Sequence, residues 1–245
     1  MKVFFVGAGP GDPELLTVKA ANLLRNCRCC IYAGSLVSPK VVAMLPPDAE
    51  RHDSSKLDLD AIISIICRAR DRGVDVVRLH SGDPSVYGAI GEQMRRLDLL
   101  GIDYEVVPGV SSFVAAASVL KVELTMPEVS QTVILTRAAG RTPVPEKESL
   151  DALARTGATL CVFLSAGEAA EVFDALAKHY GQGCPAAVVY RATWPDQKVI
   201  RGTLREVKEQ WGQSGIDRTA LILVGRALGH SETHSHLYAC ERERG

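Results

Sequence analysis

Short apolar segments rich in β-branched residues alternate with longer amphipathic segments along most of this 245-residue chain. The pattern begins with the strand-like run Lys2–Val6 and the helix-like run Glu14–Leu24, and it returns in the pair Asp75–His80 and Val86–Leu97. A chain that repeats strand, helix and strand folds most readily into a mostly parallel sheet with helices on both faces. The alternation therefore predicts the α/β class.

The same reading extends to the rest of the chain and divides it into two α/β halves. The other predicted strands are Cys29–Tyr32, Tyr104–Val107, Thr132–Leu135, Thr159–Leu164, Ala186–Tyr190, Lys198–Ile200 (antiparallel, after the turn at Trp194) and Ala220–Val224. The other predicted helices are Ala61–Arg72, Glu168–Tyr180 and Leu204–Trp211, the last with a capping box of Thr203 and Glu206. We predict an N-terminal domain over 1–118, a C-terminal domain over 119–229 and a polar tail over 230–245.

Charge and cysteine content exclude several functions. The 28 Lys and Arg residues against 29 Asp and Glu give a net charge of −1, which argues against a nucleic-acid partner. No apolar run reaches the length of a signal peptide or a membrane helix, so we expect a cytoplasmic protein with no membrane partner. The seven cysteines are expected to be reduced thiols. The Cys27, Cys29 and Cys30 group lacks a second ligand pair nearby, and His230, His234 and His236 lie in the polar tail, so we predict no metal site.

The first strand ends in a glycine-rich loop, Gly7–Asp12, that leads into a helix. Such a loop lets a ligand approach the backbone closely, as in dinucleotide-binding proteins. However, the third glycine of that fingerprint is replaced by Asp12, and no acidic residue to hold a ribose occurs between Glu14 and Asp48. A non-catalytic nucleotide-binding module therefore remains only as an alternative function.

Two further loops share this small-residue character. Ser81–Gly88 repeats the Gly-Asp-Pro triplet of the first loop, and Pro108–Ser112 follows another predicted strand. The carboxyl ends of parallel strands meet at one edge of a sheet, where open α/β sheets bind ligands. We expect the three loops to converge there. The simpler interpretation is that Asp12 and Asp83 are N-caps of helices begun by the prolines that follow them.

Four motifs in this order resemble those of the S-adenosylmethionine-dependent tetrapyrrole methyltransferases, and the resemblance extends from Val3 to about Gly225. The motifs are V-G-A-G-P-G-D-P (Val6–Pro13), Y-A-G-S-L-V (Tyr32–Val37), S-G-D-P-S-V-Y-G (Ser81–Gly88) and V-P-G-V-S-S (Val107–Ser112).

Three segments are most similar to the branch of this family that methylates precorrin-4 at ring carbon 11 during cobalamin synthesis: Tyr32–Val37, Asp53–Ser55 and Ser235–Tyr238. Members that methylate uroporphyrinogen carry an aspartate after the tyrosine, where this chain has Ala33, which disfavours that branch. Another precorrin or uroporphyrinogen methyltransferase remains an alternative. The near-zero net charge and the Tyr32–Val37 segment weigh against a diphthine-synthase-like enzyme or a ribosomal-RNA methyltransferase.

The resemblance implies two α/β domains with the active-site cleft between them, S-adenosylmethionine as co-substrate, no metal, a tetrapyrrole substrate and a homodimer. By motif position the cofactor would be bound by Pro10, Ser81, Gly82, Asp83, Val86, Ser111 and Ser112 from the first domain and by Leu164 and Ala192 from the second. Family members often have methionine where Leu164 stands. The substrate's carboxylates call for basic side chains, and Arg137, Arg141 and Arg191 follow strands of the second domain. No catalytic residue is assigned, because the sulfonium already activates the methyl group.

Overall fold

The computed structural model describes residues 1–140 and 142–229, which form two compact units. The first unit holds Met1–Ala115 together with Ala192–Pro195, and the second holds Ala116–Arg191 and the described residues from Asp196 onward. The sequence placed Ala192 in the second α/β half, whereas its contacts group it with the first unit. Within the described residues, no helix has the length and apolar character needed to cross a membrane.

The first unit is built on a five-stranded parallel sheet of order β3-β2-β4-β1-β5. Its elements are β1 (Lys2–Gly7), α1 (Val18–Arg25), β2 (Cys29–Tyr32), α2 (Pro39–Val42), β3 (Glu50–Asp53), α3 (Leu59–Asp71), β4 (Val76–His80), α4 (Ile90–Leu99), β5 (Asp103–Val107) and α5 (Ser112–Leu120), within which the unit ends. Apolar clusters cover both faces of this sheet, so the central strand β4 is buried along its whole length. The predicted parallel sheet is confirmed.

The second unit contains a mixed sheet of order β6-β7-β10-β8-β9. Its elements are β6 (Val133–Arg137), α6 (Leu150–Ala154), β7 (Thr159–Phe163), α7 (Ala169–Tyr180), β8 (Pro185–Tyr190), β9 (Lys198–Thr203), α8 (Leu204–Ser214) and β10 (Ala220–Val224). Only β6 and β7 are parallel; β7–β10, β10–β8 and β8–β9 are antiparallel pairs, as expected for β9. The predicted capping box of Thr203 and Glu206 is present at the start of α8.

Two helix starts predicted from the Gly-Asp-Pro triplets are wrong. Asp12 accepts a hydrogen bond from the Glu14 amide at 3.0 Å, but this caps only a single 3₁₀ turn, and α1 begins at Val18 under the cap of Thr17. In the second loop, α4 begins at Ile90, since Tyr87 and Ala89 have left-handed φ angles of 54° and 50° that interrupt a helix. The two Gly-Asp-Pro triplets therefore lie in loops and do not start the long helices that follow them.

Candidate functional site

The three small-residue loops lie together at the carboxyl edge of the first sheet, as expected. Gly9 and Gly82, from the loops after β1 and β4, exchange two backbone hydrogen bonds of 2.9 and 3.2 Å. Both glycines have φ angles above 60°, a conformation that side chains with a Cβ rarely adopt. The first and second loops are therefore joined directly through their backbones.

Close packing of backbone against backbone joins the third loop to the other two. A Cβ atom at Gly7 would lie 2.6 Å from three backbone atoms, two of Gly109 and the carbonyl oxygen of Gly82. A Cβ atom at Gly109 would lie 2.3 Å from that same oxygen. Real Cβ contacts are not this short, so these positions require glycine.

Asp83 ties the second loop to the third. One carboxylate oxygen accepts a hydrogen bond from the Ser85 amide at 2.8 Å, and the other accepts one from the Gly109 amide at 2.9 Å. The first bond is a local cap, as the simpler interpretation supposed, but the second spans 26 positions. Charge-assisted bonds of this kind are stronger than neutral ones, so Asp83 fixes the loop arrangement.

The segment from Ala192 to Pro195 completes this edge. The indole nitrogen of Trp194 donates to the Pro10 carbonyl at 2.7 Å, and the Thr193 hydroxyl accepts from the Asp12 amide at 3.0 Å. The Trp194 ring lies where a Cβ at Gly11 would be, 2.2 Å from the nearest ring carbon. The sequence around Trp194 predicts only a turn. A large aromatic residue among polar turn residues was the available signal.

The other predicted residues of this edge differ in exposure. Pro10, Gly82, Ser111 and Ala192 are buried, Asp83, Val86 and Ser112 are half-buried, and Ser81 is exposed. Their side chains are small or short, so the edge presents mainly backbone groups and three hydroxyls. A polar ligand can approach such an edge closely and bind it with many hydrogen bonds.

In the second unit, Leu164 directly follows β7 and is 69% exposed, with a left-handed φ of 51°. The next residue, Ser165, holds this turn: its hydroxyl donates to the Phe163 carbonyl and accepts from the Ala138 amide, both at 2.7 Å. An exposed leucine in a strained backbone conformation is typical of a functional position.

Two of the three arginines proposed for substrate carboxylates are held by neighbours in their own unit. Arg137 donates to the backbone carbonyls of Thr142 and Pro143, each at 3.0 Å. Arg191 pairs with Asp196 at 2.7 Å and lies 5.3 Å from the centre of the Tyr190 ring. Arg141 and the tail over 230–245 lie outside the described residues.

Two buried basic residues, Arg78 and His80, lie on one face of β4. Arg78 donates to the Gln93 side chain at 3.1 Å and to the Ile31 carbonyl at 3.3 Å, and burial lowers its pKa to about 10. His80 ends the strand just before Ser81. Burial, and then the charge of Arg78, lowers the pKa of His80 to about 3, so its ring is neutral at neutral pH. Its Nε2 atom has no hydrogen-bond partner among the described residues.

The depressed pKa of His80 predicts a loss of stability in mild acid. Below pH 6.5 the unfolded chain takes up a proton that the folded protein excludes, so the free energy of unfolding falls as pH drops from 6.5 towards 3. Between pH 7 and pH 5.5 this residue should cost about 1 kcal/mol. Urea denaturation should show that the free energy of unfolding depends less steeply on pH in His80→Leu than in the wild type. Equal slopes would contradict the prediction.

Comparisons with known proteins agree with this fold. A family model for Tetrapyrrole (Corrin/Porphyrin) Methylases matches residues 2–208. The chain is 49% identical to a precorrin-4 C(11)-methyltransferase of Pseudomonas aeruginosa, covering 97% of this chain and 98% of the relative. It is 50% identical to a cobalt-precorrin-4 C(11)-methyltransferase of Methanocaldococcus jannaschii, covering 93% of this chain and 88% of the relative.

Solved structures give the same result. A cobalt precorrin-4 methyltransferase superimposes with a TM-score of 0.90 at 43% identity, covering 94% of this chain and 96% of the other. A uroporphyrin-III C-methyltransferase from Thermus thermophilus, solved with S-adenosylhomocysteine, superimposes with a TM-score of 0.79 at 31% identity, covering 93% of this chain and 99% of the other. The family model and these near-complete matches together show that the chain belongs to the tetrapyrrole methylase family.

Proposed function

We propose that the protein transfers a methyl group from S-adenosylmethionine to ring carbon 11 of precorrin-4, giving precorrin-5 in cobalamin synthesis. The observation that carries this proposal is the 49–50% identity, over nearly the whole chain, to relatives named precorrin-4 or cobalt-precorrin-4 C(11)-methyltransferase. The segment Tyr32–Val37 and the absence of an aspartate at Ala33 favour this branch over the uroporphyrinogen-methylating one.

We further propose that S-adenosylmethionine lies on the carboxyl edge of the first sheet. The edge fits such a group because Gly7 and Gly109, which have no Cβ, let the three loops pack backbone against backbone and bring their small residues to one place. The proposed contact residues there are Pro10, Ser81, Gly82, Asp83, Val86, Ser111, Ser112 and Ala192. In the second unit the proposed contact residue is Leu164.

The chain's own residues then have definite roles. S-adenosylmethionine supplies a methyl group already activated by its sulfonium, so the protein has to bind and orient rather than activate. Each Asp83 oxygen accepts one backbone hydrogen bond and keeps a second acceptor position for a hydroxyl or amine of the ligand. Holding the acceptor carbon about 3–3.5 Å from the methyl group is worth roughly 7–11 kcal/mol.

Substrate recognition requires positive charge, because the tetrapyrrole carries several carboxylates. Arg137, Arg141 and Arg191 remain the predicted groups, with bidentate contacts as the favoured geometry. Binding by Arg191 requires its guanidinium to leave Asp196 or to share it.

Incubation with S-adenosylmethionine and precorrin-4, or its cobalt-containing form, tests the function. We expect a product heavier by one methyl group, one S-adenosylhomocysteine released per product, and a new methyl signal at carbon 11 by NMR. The kcat/KM values of the two substrates decide which form is used. A methyl group on another carbon would assign a different reaction within the family. Binding of NAD with no response to S-adenosylmethionine would favour a non-catalytic nucleotide-binding module.

The position of Trp194 against Gly11 predicts a fluorescence signal for cofactor binding. The chain has two tryptophans, and Trp211 is buried in the apolar core of the second unit. In Trp211→Phe, S-adenosylhomocysteine should change the remaining fluorescence saturably, with the Kd measured by calorimetry. In Trp194→Phe, which leaves the core indole as reporter, the signal should stay flat. The reverse pattern would place the cofactor elsewhere.

We also propose a homodimer acting in the cytoplasm, as the family resemblance implies. Light scattering of the purified protein tests the dimer, since a mass of 26.4 kDa per particle would exclude it.

A further inference from the structure

Three side chains that can bind a metal lie close together on the neighbouring strands β2 and β3. These strands form one edge of the first sheet, and β5 forms the other edge. In the parallel pairing Cys29 is opposite Glu50 and Ile31 is opposite His52, so Cys29, Glu50 and His52 lie on the same face. One ligand atom from each of the three lies within 4.8 Å of the other two. The structure thus supplies the partners that the cysteine cluster lacked in the sequence.

We propose that Cys29 Sγ, a Glu50 carboxylate oxygen and His52 Nε2 bind one Zn²⁺ ion. A thiolate, an imidazole and a carboxylate are ligands that zinc accepts together, whereas Mg²⁺ and Ca²⁺ prefer oxygen alone. Three protein ligands leave the fourth tetrahedral position to water.

The state of His52 is an independent observation in favour of this site. Its Nε2 atom is buried and has no hydrogen-bond partner among the described residues. The nearest carboxylate oxygen, on Glu50, is 3.6 Å away, which is too long for a hydrogen bond. Glu50 is therefore an ion-pair neighbour of this buried nitrogen and not a hydrogen-bond partner, and a cation placed between the two groups would satisfy both.

The charges around the cluster suit a divalent cation. Zinc binds the thiolate form of cysteine, so the ion would displace the Cys29 proton to the solvent. The thiolate and the carboxylate then carry two negative charges against the two positive charges of the ion, and Arg72 and Arg68 add positive charge nearby. Arg72 donates to both oxygens of Glu50, with Nη2 3.0 Å from Oε2, and would remain as an outer partner that orients the carboxylate.

The site lies apart from the proposed chemistry. Glu50 and His52 belong to β3, the edge strand of the sheet, whereas the cofactor loops follow β1, β4 and β5. A bound ion would link the polar edge strand β3 to its buried neighbour β2 and raise the stability of the first unit. Methyl transfer needs no metal, so the role is structural.

Cobalt replaces zinc in such sites and reports sulfur ligation, which gives a direct test on the full-length, EDTA-treated protein. Titration with Co²⁺ should produce a sulfur-to-cobalt charge-transfer band at one ion per chain, and Zn²⁺ should bleach it. The variant His52→Ala should weaken Co²⁺ binding by more than about tenfold. Zn²⁺ should raise the melting temperature of the wild type but not of this variant.

Matched controls separate the cluster from other ligands. His179→Ala removes a histidine of similar exposure, whose Nε2 atom lies 2.7 Å from a carboxylate oxygen of Asp151, and it should leave cobalt binding unchanged. Cys161→Ala should likewise retain the charge-transfer band, whereas Cys29→Ala should lose it. The triple change His234→Ala, His236→Ala and Cys240→Ser in the tail should have no effect.

Three results would overturn the proposal: no cobalt charge-transfer band at all, equal affinity in the wild type and His52→Ala, or loss of binding in the tail variant. Since His52 lies on the edge strand, its replacement tests the site even if Cys29→Ala fails to fold.

Discussion

Replacing Gly7 by alanine is expected to lower the free energy of unfolding by about 3 kcal/mol and to weaken binding of S-adenosylhomocysteine by about 100-fold. The added Cβ would lie 2.6 Å from backbone atoms of Gly82 and Gly109. Backbone cannot move aside by rotating a side chain, so the junction of the three loops has to open. Urea denaturation and titration calorimetry measure the two effects.

The matched control is Gly212→Ala. Gly212 lies inside α8, and a Cβ there meets nothing within 4 Å. Alanine should therefore stabilise the helix by about 0.5–1 kcal/mol and leave ligand affinity unchanged. If Gly7→Ala behaved like this control, the close packing of the loops would have no role in binding.

The variant Asp83→Asn is expected to lower stability by about 2 kcal/mol and affinity for S-adenosylhomocysteine by about 30-fold. The carboxylate accepts from the Ser85 and Gly109 amides through different oxygens. An asparagine has the same shape but only one acceptor oxygen, so its amino group must face one of these N–H donors. The link between the second and third loops is then lost.

Asp12→Asn provides the comparison, since Asp12 occupies the same position in the other copy of the Gly-Asp-Pro triplet. Its carboxylate accepts one local bond, from the Glu14 amide, which an asparagine oxygen can retain. We expect a change within about 0.5 kcal/mol. Equal losses in the two variants would mean that Asp83 acts only as a local cap.

Buried strands were predictable because burial on both faces selects continuous apolar runs. Cys29–Tyr32 and Ala220–Val224 were predicted with their observed bounds. The edge strand β3 is not among the predicted strands, because Glu-Arg-His-Asp has no hydrophobic pattern and only one of its two edges is paired. Pairing with β2, about 20 residues earlier in the chain, sets the register of β3, and the sequence of β3 alone does not reveal this pairing.

The positions of the loops that form the candidate site were predictable from the sequence, but the long-range contacts between them were not. Glycines and small residues after three strands indicated where a ligand would bind, and the structure brings those loops together. The local sequence around Asp83 indicates only a cap. The hydrogen bond that Asp83 accepts from the Gly109 amide, 26 positions away, could therefore not be predicted. The placement of Trp194 on Gly11 depends on residues 183 positions apart.

The return of Ala192–Pro195 to the first unit has a consequence for biosynthesis. When the ribosome has made Met1–Ala115, the nascent unit still lacks the indole that covers Gly11 and the hydroxyl that accepts from the Asp12 amide. About 80 further residues must be translated first, which takes several seconds at typical elongation rates. The glycine-rich loop therefore reaches its final form only after much of the second unit has emerged, so a prematurely terminated chain would carry an unfinished ligand edge.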